Sequence, residues 1–506
     1  MNEQAVPSHN WRDLRYQSFY KIVDQIVLEL QNMPPPNNSV LRRKLGGENL
    51  INLSYCVEKL MRDSLSVVLQ RARIAPTPIA KSKQHYLADR EDKRLSYKLF
   101  IKRAYEGMIE LGYLYEVTKG YFDRSSSKGE PSQSRLSRYI ATEKLIALFA
   151  NDEQKAFAAI LPPSAVPELI LVKKKVETVN GTRRVRLPLT ETSEVARMRA
   201  NLEKINTVLR QNWYDINITD DEFVKLQEEM ISEDNLAKGW LYNLDLGQML
   251  LYRVFNDEEL TTGGRFYGGW WQSIKKEYRS KLIVNGKRMI EYDYSNLHPT
   301  LLYQLEGLTP PQDSYTKIIE ENFATTGIPL AELRSVIKIA FNAMINAKTS
   351  LKGPPRGMAL KKHGISWKEL SAAILRSHAP ISGSFYSGRG LQLQRIDSDI
   401  AEKVMLKFAD WGYPILPIHD SFLAHNGFEN TLDKVMKDAY KSIMNHEIDI
   451  KALAVRKIYI PKETGPDEFG EKQSLLLDDI LESLQELGHE RRLDQFFERR
   501  KLGVFT

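Results

Sequence analysis

The sequence is poor in cysteine and contains no long hydrophobic run. Cys56 is the single cysteine among 506 residues, so the chain cannot form an internal disulfide and suits a reducing compartment. No stretch reaches the ~18 apolar residues that span a bilayer, and the first residues lack the charged-then-apolar pattern of a signal peptide. We therefore expect a cytoplasmic protein in which Cys56 is a packing residue.

Motifs that bind metals or nucleotides in many enzymes are also missing. The sequence has no His/Cys cluster with zinc spacing and no H-E-x-x-H pattern. The glycine-rich segment between Leu241 and Ile290 has neither G-x-x-x-x-G-K-S/T nor G-x-G-x-x-G, so it is not interpreted as a phosphate loop. What is present is an excess of positive charge, +7 overall with a pI near 9.0. This excess favours a polyanionic partner.

A first informative stretch surrounds Asp293. The alternating run from Arg288 to Tyr292 predicts a strand that ends on this aspartate, and helical spacing of leucines follows from Leu297 to Leu305. A carboxylate at the exposed end of a buried strand suits a metal ligand. An aspartate before a helix is also a common N-cap, and this alternative stays open at this point.

A second stretch, Leu333 to Lys348, has helical periodicity and contains no proline or glycine. Four polar residues recur every fourth position and therefore share one face of the helix: Arg334, Lys338, Asn342 and Asn346. The face carries two cations, two amides and no acid, which suits a line of phosphates and bases. The alternative is an ordinary solvated face.

A third stretch, Trp411 to His425, predicts a hairpin with an acid at its tip. The apolar strand Pro414–Ile418 is followed by His419 and Asp420 at a turn, and a second strand returns. Two rigid carboxylates far apart in sequence match the need of a two-metal phosphoryl-transfer site, where divalent ions lie roughly 3.5–4 Å apart.

Taken in order, these stretches resemble the palm and fingers motifs of family A DNA polymerases and of single-subunit phage-type RNA polymerases. Asp293–His298 (DYSNLH) is similar to the DNA-polymerase form of the first motif, and Ile418–Phe422 (IHDSF) to the RNA-polymerase form of the third. Gln394–Met405 resembles the palm helix that precedes the third motif, and Gly264–Tyr267 a Gly-Arg-x-Tyr segment of the RNA polymerases.

The resemblance implies roles for particular residues. Asp293, Asp420 and the Tyr294 carbonyl would bind two Mg²⁺ ions, with Mn²⁺ as a substitute, and Lys338 would act as a catalytic residue that protonates the leaving group. Nucleotide binding would fall to Arg334, Lys338, Asn342, Asn346 and His298. Nucleic-acid binding near the site would fall to Arg265, Tyr267, Gln394 and His419.

Two departures from the family pattern bear on the choice of sugar. Asn346-Ala347 stands where the family usually has Tyr-Gly, and His298 stands where the DNA polymerases have a glutamate that blocks a ribose 2′-OH. An imidazole is bulky enough to crowd a 2′-OH, whereas the Asn346 amide could hydrogen-bond to one. Because a steric clash outweighs one hydrogen bond of ~1 kcal/mol net, deoxynucleotides are favoured.

The first half of the chain contains two candidate nucleic-acid contacts. A helix (Leu95–Leu111), a strand (Tyr113–Val117), a Ser/Gly-rich loop and a return strand resemble a winged helix. Its cations would contact phosphates, unless the winged helix is purely structural: Arg124, Lys128, Arg135 and Arg138. Leu169 to Leu189 predicts a hairpin around Asn180-Gly181 with basic arms that would grip a duplex or protect a sheet edge.

We therefore predict a helix-rich α+β protein with a right-hand polymerase fold of palm, fingers and thumb. The expected regions are a helical region (1–86), a winged-helix-like domain (87–150), a thumb-like or template-grip region (151–240), palm and fingers (241–460) and a charged helical tail (461–506). The expected activity is template-dependent addition of nucleotides to a 3′-OH, with DNA template, primer or nascent strand and nucleoside triphosphates as partners and no membrane. The alternatives are a single-subunit DNA-dependent RNA polymerase or primase, and a DNA-binding replication initiator or defence protein with a structural polymerase-like half.

Two further pairs of residues are of interest at the level of sequence. Trp270 and Trp271 lie among cations and suit either base stacking or core packing. Asp397 and Asp399 are expected to precede an amphipathic helix as capping acids.

Overall fold

The computed structural model describes residues 17–34, 44–69, 76–86, 94–120, 136–149, 168–178, 181–230, 244, 246–355, 358 and 360–454. Within these ranges the protein has a mixed α+β fold with two hydrophobic cores, one formed by residues 19–149 and the other by residues 170–448. None of the helices in these ranges combines the length and the apolar character needed to cross a bilayer.

The first core joins helices to a small antiparallel sheet. The helices are α1 (Gln17–Asn32), α2 (Gly47–Leu69), a π-helical segment (Tyr97–Tyr105) continued by α3 (Glu106–Glu110), and α4 (Glu143–Ala147), with a 3₁₀ turn at Lys83–Tyr86. The strands are β1 (Thr77–Ile79), β2 (Leu114–Thr118) and β3 (Ser137–Ala141), in the spatial order β1-β3-β2.

Helical spacing of apolar residues produces this core. Phe19, Val23, Ile26 and Leu30 recur at intervals of three and four along α1 and are buried together. Cys56 is buried in the same core. The described parts of the predicted helical region and of the winged-helix-like segment therefore pack around one another, while the loop between β2 and β3 (121–135) lies outside the described residues.

The second core contains two sheets. Its strands are β4 (Ile170–Thr178), β5 (Gly181–Leu187), β6 (Tyr214–Ile216), β7 (Tyr252–Phe255), β8 (Gly263–Tyr267), β9 (Leu282–Val284), β10 (Lys287–Tyr294), β11 (Leu416–Ile418), β12 (Ser421–His425) and β13 (Ile450–Ala454). One sheet has the order β5-β4-β7-β8, with β4 and β7 parallel. The other has the order β11-β12-β10-β9-β6, and β13 also pairs with β10.

The helices of the second core surround these sheets. They are α5 (Ser193–Arg210), α6 (Asp220–Met230), α7 (Lys276–Arg279), α8 (Leu297–Leu305), α9 (Ser314–Asn322), α10 (Leu330–Asn346), α11 (Trp367–Ser377), α12 (Gly390–Asp410) and α13 (Glu429–Met444), with 3₁₀ turns at Trp270–Gln272, Leu360–His363 and Ala379–Ser384. The long helix α12 contacts β8 of the four-stranded sheet, α5 and α13, and α13 in turn contacts β10 and β13 of the other sheet.

The structure corrects one prediction and decides another. Asp397 and Asp399 are not capping acids, because α12 already begins at Gly390 and both residues lie in its interior. Trp270 and Trp271 are core residues, 2% and 0% exposed. Trp271 donates its indole N–H to the carbonyl of Pro417 at 3.1 Å, so it packs beneath the hairpin that carries Asp420.

Candidate active site

The two predicted carboxylates lie on adjacent strands of the larger sheet. Asp293 is near the end of β10 and pairs across the sheet with Ser421, the first residue of β12. Asp420 occupies the β11–β12 turn, beside His419, which adopts a left-handed backbone conformation with φ of 60°. Because Asp420 directly precedes the residue opposite Asp293, the hairpin brings both carboxylates to one end of the sheet.

The environment of Asp293 opposes its ionisation. Burial and the neighbouring negative charge of Asp420 raise its pKa from 3.8 to about 7, and the positive charge of Lys338 only partly offsets them. One carboxylate oxygen of Asp293, Oδ1, is buried without a hydrogen-bond partner. A buried, unpaired oxygen next to a second carboxylate is unfavourable unless a cation or a hydrogen-bond donor binds to it.

This donor set fits a hard divalent cation, which prefers carboxylate and carbonyl oxygens. A bound cation would satisfy Oδ1 of Asp293 and remove the repulsion between the two carboxylates. Across the described ranges, no group of three or more His, Cys, Asp or Glu side chains has metal-site geometry. A site here would therefore rest on Asp293, Asp420 and backbone oxygens, and the Tyr294 carbonyl remains a predicted ligand. The Tyr294 side chain is turned into the core, where its hydroxyl donates to the Met436 carbonyl at 2.7 Å.

The polar stripe of α10 faces the carboxylates across a cleft of about 920 Å³. All four stripe residues line the cleft together with Asp293 and Asp420: Arg334, Lys338, Asn342 and Asn346. The stripe therefore borders a concave site that also contains two acids.

The members of the stripe differ in how they are held. Arg334 donates to Asp313 at 2.9 Å and to the side-chain oxygen of Asn296 at 3.3 Å, so its guanidinium is already engaged. Lys338 is exposed to the cleft and close enough to Asp293 to affect its pKa. The Asn346 amide donates to the carbonyl of Asn342 at 2.7 Å.

A second group of charged residues lies at the side of the cleft. Asp397 of α12 accepts hydrogen bonds from Arg265 of β8 and from His298 of α8, the latter at 2.9 Å. Arg265, His298 and Gln394 all line the cleft. Arg265 is thus held by a buried acid and is not an isolated cation.

The remaining predicted contacts lie near the cleft or away from it. The rings of Tyr267 and His419 meet edge to face with centroids 5.9 Å apart, and neither residue lines the cleft. Arg138 is on β3 in the first core, opposite Pro78 of β1. Arg124, Lys128 and Arg135 lie outside the described residues.

Sequence reasoning missed several residues of the cleft. Asp313 caps α9 by accepting from the backbone N–H groups of Tyr315 and Thr316, and it also binds Arg334. Asp397 was detectable in part, because it lies three residues after Gln394 and so on a neighbouring position of the same helix face. Its partners Arg265 and His298, which lie 132 and 99 residues away in sequence, could not be detected from the sequence.

Comparisons with known proteins add little to this geometry. No protein-family model matches the chain, and no curated protein matches it. Among solved structures, the chain is similar to the POL domain of Pol1 from M. smegmatis in complex with DNA primer-template and dNTP. The two are 10% identical with a TM-score of 0.29, over 87% of this chain and 69% of that one. This likeness is too low to carry an argument, so function is argued from the site.

Proposed function

We propose that the protein is a template-dependent nucleic-acid polymerase that adds nucleotides to a 3′-OH, with deoxynucleotides as the preferred substrates. The observation that carries the proposal is the meeting of Asp293, Asp420 and Lys338 in one cleft. Two acids facing a cationic helix face suit a reaction in which divalent ions and a triphosphate are bound together. The right-hand arrangement of palm, fingers and thumb belongs to the same proposal.

Each charged residue of the cleft has a separate role in such a reaction. Asp293 and Asp420 would hold two Mg²⁺ ions, which when bound activate the attacking 3′-oxygen and neutralise charge on the leaving pyrophosphate. Lys338, exposed to the cleft, binds the β- and γ-phosphates and donates a proton to the pyrophosphate as it leaves. Arg334, fixed by Asp313, contributes a positioned positive charge with little loss of conformational entropy.

The nucleotide and the nucleic-acid strands would contact different walls of the cleft. Asn342 and Asn346 extend the polar stripe beyond the phosphates toward the base and sugar. His298 crowds the 2′ position of the sugar. Gln394 and Arg265 approach the primer-template, and His419 of the β11–β12 turn contacts it beside the cleft together with Tyr267.

More distant basic elements would bind the duplex backbone. On the β4–β5 hairpin, Lys175 and Arg184 are directly opposite each other and exposed, so their like charges repel unless an anion lies between them. Arg138 and the loop cations Arg124, Lys128 and Arg135 would add a second contact through the winged-helix-like segment. Such contacts are independent of base sequence and weaken with salt.

The proposal is tested by extension of a primed template with separate deoxynucleotide and ribonucleotide pools. Asp293→Asn and Asp420→Asn should each reduce synthesis by several orders of magnitude while nucleic-acid affinity stays near that of the wild type. Asp410→Asn is the matched control, because Asp410 is an exposed carboxylate paired with Lys204 at the far end of α12. Near-normal extension by either cleft variant would refute the assignment. Preference of the wild type for ribonucleotides would instead establish an RNA polymerase or primase.

A further inference from the structure

Asp397 is a deeply buried acid beside the cleft. Asp397 is 2% exposed. It lies in the interior of α12 and therefore cannot cap this helix. The Arg265 Nε lies 3.2 Å from each of its carboxylate oxygens, and the His298 Nε2 lies 2.9 Å from Oδ2. Three segments of the chain, β8, α8 and α12, therefore meet at one carboxylate.

The carboxylate is held in its ionised form. Burial alone would raise the pKa of Asp397, but the hydrogen bond from His298 and the positive charge of Arg265 outweigh it, and the pKa lies below its usual value. An ionised carboxylate only accepts hydrogen bonds. The His298 Nε2 can therefore bond to Asp397 only as a donor, and this shorter contact, at 2.9 Å against 3.4 Å to the Arg265 Nη2, selects the Nε2–H tautomer of a neutral ring.

The same contact restricts the motion of the His298 ring. Rotation about its side-chain torsions would break a charge-assisted hydrogen bond and leave Asp397 with Arg265 alone in a buried position. Arg265 in turn is fixed by three hydrogen bonds to the same acid. The imidazole therefore borders the cleft as a rigid group and not as one that moves aside for a larger ligand.

We propose that Asp397 is a positioning residue for sugar selection, which holds the His298 imidazole in place so that it excludes a nucleotide 2′-OH. The inference rests on the proposed polymerase function and assigns the selectivity of that site to a pair of residues. The His298 ring is large enough to exclude a 2′-OH, but it does so only if it cannot rotate away. Asp397 prevents this rotation through its hydrogen bond, without itself contacting substrate.

The direct test is the ratio of kcat/KM for a deoxynucleotide to that for the matching ribonucleotide. Asp397→Asn keeps the shape of the side chain but removes its charge. It should lower this ratio by about 10- to 100-fold, the factor expected from one hydrogen bond to a charged group. The decrease should come from faster ribonucleotide insertion. Asp399→Asn is the control on the same helix, because Asp399 binds Arg253 and Arg395 instead of His298.

A double-mutant cycle separates positioning from general damage to the fold. In a His298→Ala background the ring is gone, so Asp397→Asn should leave the sugar ratio unchanged. Equal effects of Asp397→Asn in both backgrounds would overturn the proposal, as would an unchanged ratio in the single variant. If neither nucleotide pool is used by the wild type, it is the proposed function that fails.

A spectroscopic measurement on the metal-free protein tests the inference without any turnover. Imidazole ¹⁵N–¹H spectra, with the His298 signal assigned by its loss in His298→Ala, should show the neutral ring protonated on Nε2. A neutral ring protonated on Nδ1 would overturn the inference, because it could not donate to Asp397. In Asp397→Asn the Nε2–H preference should disappear.

Discussion

Replacing Asp293 by asparagine should make the metal-free protein more stable at neutral and alkaline pH, although it removes a proposed metal ligand. Asparagine has nearly the same shape and stays neutral. The wild-type carboxylate, by contrast, ionises as the pH rises, in a partly buried position next to Asp420. The Oδ1 of Asp293 adds to the free-energy cost of ionisation, because it has no hydrogen-bond donor in the wild type.

The size of the effect follows from the pKa. The pKa of Asp293 is about 7, against 3.8 for a solvated aspartate, and each tenfold change in proton affinity is worth about 1.4 kcal/mol. Ionising this carboxylate in the folded protein therefore opposes folding by about 4 kcal/mol. Since its folded pKa is raised, the stability associated with protonated Asp293 is complete below pH 3.8 and is lost as the pH rises through about 7.

Thermal or urea unfolding in EDTA, from pH 4 to pH 8.5, measures this effect. The advantage of Asp293→Asn over the wild type should be near zero at pH 4 and grow to as much as about 4 kcal/mol at pH 8.5. Addition of Mg²⁺ should stabilise the wild type more than the variant, because a ligand that binds only the folded state raises its stability.

Asp313 provides a control of opposite sign in the same cleft. Burial raises its pKa, but hydrogen bonds from Thr316 N–H and Arg334 outweigh this and lower it. Asp313→Asn should therefore destabilise the protein at pH 8, and the loss should shrink as the pH falls below 4. If Asp293→Asn is less stable than the wild type at pH 8, or if its advantage does not change with pH, the electrostatic reasoning is wrong.

Three further predictions concern the surroundings of the carboxylates. Lys338→Ala should raise the apparent KM for nucleotide and lower kcat. Steady-state kinetics on a primed template measure both constants, and wild-type values would contradict the assignment. Gly390→Ala should disturb the nucleotide side of the cleft, because a Cβ there would lie 2.3 Å from Oδ1 of Asn346; an unchanged melting temperature and KM would contradict this. Replacing both Lys175 and Arg184 with glutamine should relieve the cross-strand repulsion and reduce the salt dependence of duplex binding by about two counterions. A titration at several salt concentrations checks that slope.

Local patterns were sufficient to predict the elements that carry the site. Alternation up to Asp293, the apolar run before Asp420 and the four-residue repeat from Arg334 to Asn346 are short-range signals, each set by the period of one strand or helix. The strand β10, the β11–β12 hairpin and the helix α10 occur where these signals predict them.

What these elements contact was decided by tertiary structure. Asp397 looked like a helix cap from its neighbours in sequence, yet its role follows from Arg265 and His298, residues 132 and 99 positions away. Trp271 suited base stacking and core packing equally in the sequence, and its complete burial decides for the core. Burial and charge pairing depend on which segments cross in space, and the pKa of Asp293 rises because folding desolvates its carboxylate and brings Asp420 beside it. Periodicity along the chain contains no information about such crossings.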